Sequence, residues 1–132
     1  MRLAILFLIL VFLIDLLGFY IGSYRIPAYD TILHFSGGLF VAMLFYHYLK
    51  EYFKKNNLIK NVLIIVGATM FIGAVWEFAE YTATLLWSDY FFERYEVICC
   101  IGNLDDTIND LLVDLLGALV FSIPAIKYRN KS

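Results

Sequence analysis

Six residues with ionisable side chains stand inside long apolar stretches of this chain: Asp15, His34, Glu77, Glu80, Asp110 and Asp114. Each Asp at the centre of a membrane helix costs about 2.5–3.5 kcal/mol on the insertion scale, so such residues are kept for a purpose. Their spacing is regular. Glu77 and Glu80 are three apart and share a helix face. Asp106, Asp110 and Asp114 follow at i, i+4 and i+8 with Asn109 beside them, a stripe along one side of a helix. Asp30 and His34 are again four apart. Helices that donate paired carboxylates to metals in bundle cores use such spacings. Five carboxylates and one imidazole cannot all stay ionised together in a low dielectric, so some hold protons or a cation binds. One His among several carboxylates suits Mg, Mn, Ca or Fe better than a thiolate-type Zn site. The candidate metal ligands are His34, Glu77, Glu80, Asp110, Asp114 and Asp106, and Glu77 and His34 are the candidates for proton transfer.

Each of these residues also has a purely structural reading. Asp106 could cap a helix, His34 could be a hydrogen-bond partner of Glu77, and Asp15 could pair with a Tyr hydroxyl. Glu80, Asp106 and Asn109 could be hydrated at an interface. His47, near Lys50, reads as interfacial.

The elements that must position these groups are helices. Of 132 residues, 62% are hydrophobic and 17% charged, too few charges for the polar surface of a soluble domain of this size. The expected fold is an all-α membrane protein, a four-transmembrane-helix bundle forming one integral membrane domain over 1–132. About 20 residues cross a hydrocarbon core of roughly 30 Å, and a backbone inside lipid must satisfy its own hydrogen bonds. The spacing predicts helices over about 3–23, 31–49, 60–87 and 106–126. The first could instead be a signal peptide, but no small-x-small cleavage site follows it.

Eight of the ten basic residues fall on one side: Arg2, Lys50, Lys54, Lys55, Lys60, Lys127, Arg129 and Lys131. The positive-inside rule then puts both termini in the cytoplasm, an N-in/C-in topology in the inner membrane. Tyr46, Tyr48 and Tyr52 mark the inner interface; Tyr20, Tyr24, Trp87, Tyr90 and Tyr95 mark the outer one. With that orientation every intramembrane acid and His34 lies in the outer half. His34 and Asp110 come about 6 Å below the surface, Glu80 about 10 Å, Asp15 and Asp114 about 12 Å, and Glu77 about 15 Å. Gly38, Gly73 and Gly117 lie one turn deeper than His34, Glu77 and Asp114, which predicts a tight glycine waist beneath an outward-facing pocket. Gly18 and Gly22 make a G-x-x-x-G on the first helix, read as intramolecular packing ahead of dimerisation. The aromatic link 88–105 is expected to be an interfacial or re-entrant segment over the outer mouth. Cys99 and Cys100 in it are either two small apolar residues or the source of an intermolecular disulfide.

The blocks Asp30-x-x-x-His34-Phe35, Trp76-Glu77-x-x-Glu80-Tyr81 and Asp106-Thr107-x-x-Asp110-Leu111-x-x-Asp114-x-x-Gly117-Ala118 resemble the YjdF-type family of small bacterial and archaeal inner-membrane proteins. The resemblance runs from about Asp30 to Val120. The same blocks look like a distant version of the VanZ-like family, from which the chain departs: Glu80 replaces a Gln, Asp114 an Asn, and an Arg often found before the last helix is missing. The YjdF-type resemblance implies no particular activity.

Three functions therefore stand open. One is a metal-dependent enzyme acting on lipid or lipid-linked head groups. Another is ion or proton-coupled transport, for which an oligomer could complete a path. The third is a non-catalytic membrane partner or assembly factor. A formal charge of -2 and no basic patch interleaved with aromatics give no footing for nucleic acid.

Overall fold

The computed structural model describes residues 1–95 and 103–131. These form four α-helices, α1 (Arg2–Ile21), α2 (Pro27–Leu49), α3 (Leu58–Tyr95) and α4 (Leu104–Lys131), with a short 3-10 turn at Ser23–Arg25 after α1. Gly22 ends α1 with a φ of 70°, a left-handed conformation that an L side chain resists, and its N–H donates to the carbonyl of Gly18. Pro27 starts α2, where a missing N–H is one of the helix's orphans anyway. Asn57 accepts from Lys60 N–H at 3.3 Å at the start of α3, and Asn103 accepts from Asp106 N–H at 3.0 Å at the start of α4. Asp105 and Asp106 in the first turn of α4, with Arg129 and Lys131 in its last, both complement the helix dipole.

Three helical stretches, Ala28–Leu49, Leu58–Glu93 and Leu104–Lys131, are long and apolar enough to cross a membrane. Leu112, Leu116 and Val120 on α4 form an exposed apolar row at helical spacing, and α3 likewise exposes Phe71, Phe78, Leu85 and Leu86. Surfaces of that kind belong in hydrocarbon.

The helices differ in extent from the expected spans, most of all in α3. Its expected end was Trp87, yet it continues to Tyr95. The segment Ser88-Asp89-Tyr90-Phe91-Phe92-Glu93 contains neither Gly nor Pro, so nothing in it stops a helix already nucleated. The first half of the proposed interfacial link is therefore more α3. Residues 96–102 of the link, with Cys99 and Cys100, lie outside the described residues, and its last two residues already belong to α4.

The closest packing is between α2 and α4, with α3 alongside both and α1 laid against α2. Phe7 of α1 stacks on Phe40 of α2 with centroids 4.6 Å apart, and Phe12 meets the edge of Trp76 on α3. At the Lys-rich end an apolar core of Ala42, Phe53, Val62, Ile65, Val66, Ala118 and Ile126 fills the bundle. The turn there is tied down by Arg129, which donates to the carbonyls of Lys50 at 3.1 Å and Phe53 at 3.2 Å. Asn61 closes it by donating to Lys54 O at 2.8 Å. The buried ionisable residues gather at the opposite end.

Candidate functional site

The middle turns of α2 and α4 lie side by side because glycine removes the side chains that would separate them. A Cβ at Gly117 would collide with the backbone of Phe35 and sit 2.9 Å from Leu39 N; one at Gly38 would sit 2.7 Å from Asp114 Cα. These reciprocal contacts are the α2–α4 half of the expected waist. Gly73 on α3 differs from expectation. Its missing Cβ would lie 2.6 Å from Asp114 Oδ2, so this glycine makes room for a carboxylate and does not seat a helix backbone. Gly18 receives the ring of Tyr29, whose hydroxyl donates to Ile14 O; with Gly22 serving as a helix cap, the G-x-x-x-G is used within the chain.

The glycine contacts bring α4's carboxylates to the imidazole of α2. His34 Nδ1 is 3.7 Å from Asp114 Oδ1, and Nε2 is 3.8 Å from Asp30 Oδ1 and 3.9 Å from Asp110 Oδ2. His34, Asp110 and Asp114 are buried, and Asp30 is half-buried. All three separations are beyond hydrogen-bond length. The two Nε2 separations match pairs of ligands around one ion, since donors each about 2.0–2.6 Å from a shared cation lie roughly 3–4 Å apart.

Two triads meet at His34. Asp30, His34 and Asp110 offer donor atoms within 4.8 Å of one another, and so do His34, Glu77 and Glu80. Glu80 Oε1 accepts from the indole Nε1 of Trp76 at 3.0 Å. Glu77 is 5% exposed, and both its carboxylate oxygens are buried with no hydrogen-bond partner. Thr107 of α4 faces this carboxylate without completing a hydrogen bond. A buried acceptor left unpaired costs about 1–3 kcal/mol, more when charged. Four-carboxylate surroundings for one imidazole, with a fifth carboxylate orphaned, make a donor set suited to a hard or borderline divalent cation.

Of the expected site residues, His34, Glu77, Glu80, Asp110 and Asp114 converge. Asp106 is exposed at the rim, within electrostatic reach of Asp30 and Asp110, and the capping side chain is that of Asn103. The alternative in which His34 hydrogen-bonds Glu77 fails, because the imidazole faces Asp30, Asp110 and Asp114 and Glu77 is unpaired. Asp15 accepts a hydrogen bond from Tyr24 Oη, the structural pairing foreseen for it. Burial first, then this bond to Asp15, holds the Tyr24 phenol well above its ordinary range, so it remains a donor. Asp30 is the residue missing from the expected ligand set. Its signal is present in the Asp30-x-x-x-His34 spacing.

Beside the cluster, between α1, α2 and α3, lies a cavity of about 260 Å³. Asp15, Asp30, His34 and Asp114 line one end, and apart from Thr69 the rest is mainly apolar.

Similar proteins agree with the membrane reading. An uncharacterized protein of Thermotoga maritima is 32% identical over 124 residues, which is 92% of this chain and 59% of the relative, so the chain spans less than two thirds of that protein. No solved structure matches. The VanZ-like likeness finds no support among these matches, whereas the YjdF-type resemblance is consistent with them. Residues 1–131 match the family described as "Predicted membrane protein (DUF2238)", and the chain belongs to that family.

Proposed function

We propose that this protein is a multi-pass inner-membrane enzyme that uses a divalent cation to act on lipid or lipid-linked head groups in the outer leaflet. In this reading α1 is a fourth crossing helix, both termini are cytoplasmic, and the cluster around His34 opens outward. The observation that carries it is Glu77, a buried carboxylate with both oxygens unpartnered, beside an imidazole already faced by three more acids. A cation answers both the orphaned acceptor and the excess negative charge.

His34, Asp30 and Asp110 would hold the ion, with Glu77 and Glu80 on its other side. A bound divalent ion supplies polarisation of a phosphoryl or ester oxygen. Asp114, lodged between Gly37 and Gly73 and 3.7 Å from His34 Nδ1, would hold the imidazole's orientation by charge attraction to that side of the ring. With one Glu77 oxygen turned to the ion, the other would take the proton of an attacking water, since neither is engaged by a hydrogen bond.

Transport has less support. Below the cluster the bundle is filled by Ala42, Ile65, Val66 and Ile126, with no ionisable relay among the buried residues of that core.

The test is Mn²⁺ binding to the purified protein, read by electron paramagnetic resonance. One tight site, lost in Asp110→Asn, is expected together with metal-dependent release of phosphate or head group from outer-leaflet lipids. Absence of any Mn²⁺, Mg²⁺, Ca²⁺ or Fe²⁺ binding would leave the cluster a structural device and favour the assembly-factor reading.

A further inference from the structure

The cavity beside the cluster is polar at one end only. Asp30, His34 and Asp114 border it there, and Leu8, Val11 and Val41 border it deeper in the bundle. Between Asp30 and Val41 it follows α2 for eleven residues, about 16 Å. Thr69, the hydroxyl-bearing residue on its α3 wall, donates to its own helix's Ile65 O at 2.9 Å, which removes that group from the cavity's chemistry. Gly37 keeps the passage between the two ends open: a Cβ there would meet nothing nearer than Asp114 Oδ1 at 3.9 Å. It is a glycine not required by backbone approach.

The cavity is partly open, and at about 260 Å³ it exceeds the roughly 30 Å³ share of a water many times over, while apolar walls do not hold water. It is also slightly below the roughly 300 Å³ at which pockets for whole drug-sized ligands begin. One hydrocarbon chain fits that shape; a two-chain lipid body does not.

We propose that the cavity is a channel for a single alkyl chain of the ligand whose head group sits on the His34 cluster. The ligand is the lipid-type phosphate or ester of the preceding section, so the proposal rests on that reading and names its substrate class: an amphiphile read by one chain as well as by its head. A chain of bulk phospholipid filling the same space is the competing occupant. Continuity of the cavity with Asp30, His34 and Asp114 favours the ligand's own chain, because head and chain are then held together by one site.

The experiment uses the full chain in phosphatidylcholine nanodiscs with Mn²⁺, irradiated with dodecyl phosphate bearing a terminal diazirine. Adducts are mapped by mass spectrometry. Labelling is expected on Leu8, Val11 or Val41 in excess of that on the exposed Leu6 and Leu13. Val41→Phe should lower cavity labelling about tenfold, equivalent to one decade in affinity, and Leu8→Phe serves as a second plug should the first fail to fold. Gly67→Leu, at a position where a Cβ meets nothing within 4 Å, should leave it unchanged. Equal labelling of Leu6 and Leu13, or equal labelling of the cavity by the diazirine alkane without its phosphate, overturns the proposal. A parallel Mn²⁺ titration separates the two ideas. Mn²⁺ binding without cavity labelling overturns the chain channel and keeps the metal reading. Head-group-dependent labelling in a protein that binds no Mn²⁺ keeps the channel and removes the metal.

Discussion

At the scale of single residues, Glu77 is the position where stability and function should part. Its carboxylate is buried with no hydrogen-bond partner, so neutralising it relieves a desolvation cost. Glu77→Gln should therefore unfold at the same temperature as the wild type or higher when no metal is present. Saturating metal stabilises whatever binds it, by about 2.7 kcal/mol at a concentration near 100 times Kd. Wild type should gain that shift with Mn²⁺ and Glu77→Gln should gain much less. Thermal melts with and without the ion read both effects. A variant that melts lower and is equally indifferent to Mn²⁺ would mean that Glu77 serves packing. Asp110→Asn is the complementary case. As a proposed ligand it should weaken Mn²⁺ binding by at least the roughly 10–100-fold typical of an outer-shell partner, measured by titration.

At the scale of elements, the site depends on how closely α2 and α4 approach. Gly38→Ala places a methyl group onto the backbone of Asp114, a contact that backbone cannot yield cheaply. Overpacking of that kind costs about 1–3 kcal/mol, and it also moves Asp114 away from His34. Both melting temperature and Mn²⁺ affinity should fall. Gly73→Ala presses on the Asp114 carboxylate alone, so affinity should fall with a smaller loss of stability. Gly67→Ala, in open space, should stabilise by up to about 1 kcal/mol through helix propensity. Parallel melts and Mn²⁺ titrations of the three variants test the ordering. The acids and glycines were legible in the sequence because each breaks an apolar run at helical spacing. Which glycine meets backbone and which meets a carboxylate was not, since that depends on the relative rotation of three helices. The true end of α3 is hidden for a related reason: a stretch mixing charges with aromatics reads as an interfacial segment by composition and, lacking Gly and Pro, as helix by propensity. Asp30 is hard to read as a ligand because a helix start and a ligand position coincide in one residue.

At the scale of the whole molecule, the proposed outward opening rests on the distribution of charge. Three Lys residues between α2 and α3, Lys60 in the first turn of α3 and three basic residues at the end of α4 mark one end of the bundle, which the clasp of Arg129 over Phe53 also closes. The acids mark the other. With 38 residues, α3 is about 57 Å long, well beyond a core of roughly 30 Å. Its final turns, from Ser88, therefore stand clear of the hydrocarbon or the helix tilts strongly. Single cysteines in a background with Cys99 and Cys100 replaced by Ser distinguish the possibilities. In intact cells an impermeant maleimide should reach Asp89→Cys but not Lys55→Cys or Tyr128→Cys, which should label after permeabilisation. Arg2→Cys should behave like Lys55→Cys if α1 crosses the membrane, and like Asp89→Cys if the chain has three crossings. Labelling of Lys55→Cys from outside would invert the bundle and turn the His34 cluster toward the cytoplasm. The lipid-type ligand would then have to come from the inner leaflet, while the distances around His34, and the metal chemistry they support, would stand unchanged.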